Sequence, residues 1–141
     1  MHTQINSIYP SANPQPTSTK ELIVEPQLKK PFIKFNEQKG FLMIKGNSIE
    51  VKEEFFLPVL TLIEEHLKHS NKLTCYLFFK TFNQATSNVL FKIFKTLEIH
   101  KQLLGHKITI NWFSDFENES MIETGIGFAD LFDLKFNIQP V

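Results

Sequence analysis

The residues with the most chemistry lie where an apolar run meets a helical one, in "KTFNQATSNVLFKIF" at 80–94. Asn83, Gln84, Ala85, Thr86, Ser87 and Asn88 stand together at that join. Amides and hydroxyls just ahead of a helix accept hydrogen bonds from its first free N–H groups, and capping alone accounts for Thr86 and Ser87. The same place suits a phosphoryl group, because orphan donors and the helix dipole both favour negative charge. Pattern alone favours the plain cap.

A second group, Asp115, Glu117, Glu119 and Glu123, surrounds the start of the last helical segment. Carboxylates there complement the positive end of a helix dipole. Their spacing does not match a calcium loop. The alternative is a docking surface for a basic partner, or a small ligand-binding or metal-binding domain or enzyme built on 115–123. The histidines at 2, 66, 69, 100 and 106 fall in no metal-ligand spacing. His66 and His69 are one helical turn apart and read as solvated surface residues. Cys75, the lone cysteine, has no disulfide or CxxC partner and reads as a small buried hydrophobe, not a catalytic thiol. P-loop, GxGxxG and GxSxG motifs are absent, and "GIGF" is too short for a phosphate loop. No catalytic residue, cofactor or metal site is expected.

The elements that must position these residues are legible from period and punctuation. "ELIVE" at 21–25 is a short strand closed by Pro26, and "PFIKF" and "GFLMIKG" form a hairpin across "NEQKG". From 51 to 68, Phe55, Val59 and Leu62 line one helical ridge and Phe56, Leu60, Ile63 and Leu67 the next, with Pro58 imposing a kink or a frayed first turn. "KLTCYLFFK" at 72–80 is apolar on both alternating faces, as in a central strand covered on both sides. A helix follows from 85 to about 104, stopped by Gly105, and then the strand "KITINWF" at 107–113.

"MIETGIGFADLF" reads as a shorter helix weakened by Gly125 and Gly127, with Ser120 and Glu123 spaced as a capping box. "LKFNIQPV" closes the chain as a one-sided strand. The order β-β-β-α-β-α-β-α-β implies an α/β fold, a mixed β-sheet with helices packed on it.

The 141 residues suit one domain. Residues 1–20, rich in Pro, Ser, Thr, Asn and Gln, read as a flexible N-terminal tail before a domain over 21–141. Fifteen Lys+Arg balance fifteen Asp+Glu, which argues against nucleic acid as a partner. The fifteen phenylalanines read as core rather than as a platform for bases. Nothing resembles a membrane span or a secretory signal, so a cytoplasmic protein is expected.

Taken in order, the segments resemble the SiaC family of bacterial regulatory phosphoproteins. "GFLMIKGNSIEVKEEFFLPVLTLIEEHL" is similar to that family's "G-x-x-x-I-x-G-x-S-x-P-E-N-x-x-x-F-[YF]-x-P" segment. "YLFFKTFNQATSNVLFKIFKTLE" is similar to its "L-x-Y-F-N-T-S-S-S-K" junction, and "INWFSDFENESMIETGIGF" to its "W-x-Y-x-x-D-D-E-D-M-x-E-x-G" stretch. The resemblance covers about 21–138.

It implies a STAS-like fold, like the anti-sigma-factor antagonists, with a regulatory Thr or Ser at the strand-to-helix junction. It also implies partner switching: a Ser/Thr kinase and a PP2C-type phosphatase act on that residue, and the unmodified form binds and activates a diguanylate cyclase. The chain departs from the pattern where it matters. Gln84 occupies the family's phosphorylated Thr position, and Ala85, Thr86 and Ser87 fall on its Ser-Ser-Ser. Either the phosphosite has moved to Thr86 or Ser87, or a neutral Gln84 holds the protein in its partner-binding state. On both readings the expected docking site is Asn83 to Ser87 with neighbouring surface, in a regulator that is not an enzyme.

Overall fold

The computed structural model describes residues 21–141. The tail expected over 1–20 lies outside them. Strands β1 (Glu21–Val24), β2 (Phe32–Asn36), β3 (Phe41–Ser48), β4 (Lys72–Phe82), β5 (Lys107–Ser114) and β6 (Lys135–Pro140) alternate with helices α1 (Leu57–His69), α2 (Gln84–Leu104) and α3 (Glu119–Leu131) as the sequence pattern anticipates. A 3-10 turn, Glu53–Phe56, leads into α1, and Pro58 sits in the first turn of α1. Its missing N–H is harmless there, because first-turn donors have no partner inside the helix.

The strands lie side by side in chain order, β1-β2-β3-β4-β5-β6. The first three pair antiparallel, and from β3 onward the pairing is parallel. The β2–β3 hairpin closes over 37–40, where Gly40 takes φ 67°, a left-handed conformation that disfavours other residues. Asn36 Oδ1 accepts from the Lys39 N–H at 2.8 Å and pins that turn.

The two faces of this sheet differ. Leu73, Cys75, Leu77 and Phe79 of β4 are buried beneath the helices, whereas Thr74, Tyr76 and Phe78 are half-buried on the other face. The expectation that β4 is covered on both sides is therefore incorrect. Crossovers between parallel strands are right-handed, so a sheet that grows in one direction receives every helix on the same face. Covering both faces requires the strand order to reverse, and here it never does.

The core fills the single helix–sheet interface. Trp112, Phe35, Phe56, Phe79 and Phe94 are its largest fully buried side chains, each worth on the order of 2 kcal/mol in burial. The Phe94 ring packs edge-on against Phe128, Phe132 and Phe136 at centroid distances of 5.1, 5.7 and 5.2 Å. Gly125 lets α3 lie flat on Trp112. A Cβ built there would come within 2.4 Å of the indole ring, and the indole N–H donates to the Met121 carbonyl at 3.0 Å.

Two local expectations also need correction. The α3 cap is Asn118, whose side chain accepts from the Met121 N–H, so Ser120 and Glu123 lie inside the helix rather than forming a capping box. His66 is buried, not solvated: its Nε2 lies 2.7 Å from the Lys72 carbonyl and its ring stands edge-on to Phe35. Only His69 of that pair is exposed. Among the described residues, no helix is long and apolar enough to cross a membrane.

Candidate functional site: the entrance to α2

The chain leaves β4 at Phe82 and enters α2 at Gln84, so one residue, Asn83, makes the turn. Its backbone is extended (φ −90°, ψ 177°) while its side-chain oxygen accepts from the Thr86 N–H at 3.0 Å, the geometry of an N-cap. The Asn83 amide reaches the other way and donates to the Val51 carbonyl at 2.9 Å. The Asn83 N–H donates to the Ser48 carbonyl at 2.9 Å. Through its backbone and side chain together, this one residue fastens the start of α2 to the end of β3 and the segment after it.

Thr86 completes the joint. It is 1 % exposed, and its Oγ1 lies 2.7 Å from Ser48 Oγ, 2.8 Å from Asn83 Oδ1 and 3.1 Å from the Ser48 carbonyl. A hydroxyl has one proton. The Asn83 oxygen and the Ser48 carbonyl compete for it, so Ser48 Oγ–H donates to Thr86 Oγ1. The capping residue is Asn83, with Thr86 in the first turn as a buried tie between two chain segments. Ser87 is half-buried, and its N–H makes the first bond of the helix, to the Asn83 carbonyl at 3.1 Å.

Gln84 is exposed and heads a ridge along α2. Its amide donates to Asn88 Oδ1 at 2.9 Å, and Asn88 donates to Glu53 Oε2 at 3.1 Å. Lys92 donates to the other Glu53 oxygen at 2.8 Å. The Lys92 hydrogen bond, then that of Asn88, holds the Glu53 carboxyl below the usual carboxylate range. Beside the ridge runs an apolar groove. A hollow of about 470 Å3, with Val51, Leu57, Leu60, Ala85 and Val89 in it and Lys52, Glu53, Glu54 and Lys92 also lining it, shares Leu60 and Lys92 with one of about 400 Å3 that includes Ile63 and Phe91. Leu57 is 54 % and Phe91 46 % exposed, so large apolar side chains stand partly in solvent along this groove, Phe91 with its ring edge-on to Phe132.

Asn83 to Ser87, consecutive in the chain, form the turn and first helical residues at the entrance to α2. The sequence pattern missed Ser48, Glu53, Leu57 and Phe91 as neighbours. The spacing of Gln84, Asn88 and Lys92 at four-residue intervals was the available sign of the ridge.

Residues 24–141 match the family described as SiaC family regulatory phosphoprotein. The chain belongs to the SiaC family. Among solved structures, a chain of the crystal structure of diguanylate cyclase SiaD in complex with its activator SiaC from Pseudomonas aeruginosa aligns at 24% identity and TM-score 0.79, over 85% of this chain and 99% of that one. SiaC of Pseudomonas aeruginosa aligns at 22% identity and TM-score 0.77, over 86% and 99%. Apo-SiaC from the same organism gives 24%, 0.73, 85% and 98%. At these identities the likeness speaks for the fold. No curated protein is matched.

The SiaC family is one of regulatory phosphoproteins. Asp115, Glu117 and Glu119 are exposed, and Asp115 Oδ1 accepts from the Glu117 N–H at 2.9 Å. Glu123 is also exposed, one turn along α3. Among the described residues, no group of His, Cys, Asp or Glu converges to hold a metal ion. Cys75 is buried, and desolvation pushes its thiol up to about 12.

Proposed function

We propose that this protein is a cytoplasmic signalling regulator that activates a diguanylate cyclase by binding it through the entrance to α2 and the adjoining groove. The observation that carries this reading is an exposed, neutral Gln84 at the first position of α2, close in sequence to the groove that holds Leu57 and, two turns further along the helix, Phe91. Pseudomonas aeruginosa SiaC, the activator of the cyclase SiaD, supplies the partner class.

The family resemblance implies a switch hydroxyl at the position where this chain has Gln84. Thr86 is no replacement in the native state, because the residue is 1 % exposed and its oxygen lies among Ser48 and Asn83. Of the two hydroxyls in the junction, Ser87, half-buried, is the more accessible to a Ser/Thr kinase. The reading is accordingly a constitutive binder, with Ser87 the remaining position for control by a kinase and a PP2C-type phosphatase.

The test is to add the purified protein to each diguanylate cyclase of its host and follow cyclic dinucleotide formed from GTP, with phosphosite mapping of protein isolated from that host. Stimulation of one cyclase, reduced at least tenfold in affinity by Gln84→Glu, is expected. A stoichiometric phosphoryl group on Thr86 would overturn the constitutive reading, and stimulation of none would overturn the cyclase assignment.

A further inference from the structure

The uncovered face of the sheet separates charge in a protein whose formal net charge is zero. Side chains alternate along each strand, and the registers place Lys34, Lys45, Lys72, Lys80, Lys107 and Lys135 on that face, with Glu21 on the β1 edge as the opposing carboxylate. Asp115 and Glu117 stand beyond the carboxyl end of β5, beside Phe78 and Lys80. Between the lysines the middle strands carry Phe41, Met43, Tyr76, Phe78 and Phe113, all half-buried. A cleft of about 350 Å3 opens among Met43, Lys45, Tyr76, Phe78 and Phe113, with Val141, held to Ser114 and Phe116 by backbone hydrogen bonds, at its side. No described helix or strand lies over it.

We propose that this face is a second docking surface, and that its occupant is an acidic amphipathic helix of a partner protein. Helices are what cover the faces of parallel sheets, and an apolar stripe flanked by carboxylates matches an aromatic floor flanked by lysines. Three other occupants fit less well. A second copy would set lysines against lysines. The chain's own residues 1–20 contain no Asp or Glu, so they offer the lysines nothing. Single-stranded nucleic acid needs open ring faces on which bases stack. Here the Lys34 ammonium lies 5.9 Å over the Phe41 ring and that of Lys45 5.8 Å over Phe78, while Phe41 and Tyr76 meet edge to face at 6.1 Å. Ammonium groups held over rings remain free to meet carboxylates. The surface lies across the sheet from the α2 entrance, so it is independent of the cyclase reading.

The experiment titrates isotope-labelled protein with a synthetic helical peptide of leucine and glutamate, and separately with its leucine–lysine counterpart, a twenty-nucleotide oligothymidylate and phosphatidylglycerol vesicles, following amide shifts. Binding of the glutamate peptide is expected, with shifts concentrated in β3, β4 and β5. The Lys34→Glu/Lys45→Glu variant should weaken it at least tenfold while its thermal unfolding stays close to the parent. Raising salt should weaken it as well. Equal binding of the lysine peptide, shifts confined to α1 and α2, or binding of oligothymidylate or vesicles without the glutamate peptide would each overturn the proposal.

Discussion

Helices α2 and α3 both begin just after a strand, and each is capped by an asparagine that also reaches out with its amide. Asn83 ties α2 to the Val51 carbonyl, and Asn118 ties α3 to the Lys80 carbonyl at 3.0 Å. The caps are the same device, yet their surroundings are opposite. The α2 entrance is neutral, made of Gln84, Ala85 and Ser87 above a buried Thr86. The α3 entrance is exposed and acidic, with Asp115, Glu117 and Glu119. Added negative charge meets like charge at the second entrance and none among the residues of the first. The cap sets the backbone, and the residues around it decide what the helix start can receive.

The contrast is most easily broken at α3. Gly125→Ala forces a methyl into the Trp112 ring and should cost about 3 kcal/mol in urea unfolding, at the upper end of overpacking penalties. A loss under 1 kcal/mol would mean that α3 is not held by this close approach. Next come the caps themselves. Asn83→Ala removes a cap and leaves buried partners unsatisfied, so about 2 kcal/mol should be lost, against about 1 kcal/mol for Asn118→Ala. Equal losses in the same denaturation series would show the two entrances to be stitched alike.

Gln84→Glu sharpens the comparison by giving the α2 entrance the charge character of α3. Stability should change by less than about 0.5 kcal/mol, since a carboxylate is tolerated at a helix start. Calorimetry with the stimulated cyclase then reports whether charge alone separates the two sites.

The smallest effect concerns Glu53. Its pKa is depressed by Lys92 and Asn88 from an ordinary value of 4.5, so the contact is fully present above that value and fades as pH falls through the lowered pKa. Glu53→Gln should flatten this part of the acid titration seen by NMR at the Lys92 and Asn88 side chains. An unchanged titration in the variant would assign it to another carboxylate.

Element order and type were legible because each segment carries its own period and stop signals. The hairpin, the α2 stop at Gly105 and the one-sided last strand needed nothing beyond local chemistry. What was not legible came from distant parts of the chain. The amphipathic halves of "KLTCYLFF" look alike in sequence, and only strand order tells which half receives helices. Thr86 reads as a surface cap until Ser48, 38 positions away, closes over it. Gly125 reads as a defect in a helix until Trp112 is placed beneath it. Asn83 was part of the cluster from the start, but its reach to Val51 depends on how β3 ends.

The strand order carries a consequence for how such a chain comes to be made. Every strand hydrogen-bonds to the strand before it in the sequence, so no stretch must wait for a distant segment before it has an edge to join. Domains emerge from the ribosome N-terminus first, and here each new strand meets a completed edge as it appears. Loop closure costs only the length of one crossover at each step. The sheet can thus be laid down in the order of translation, with α3 and β6 the last pieces to close over Trp112.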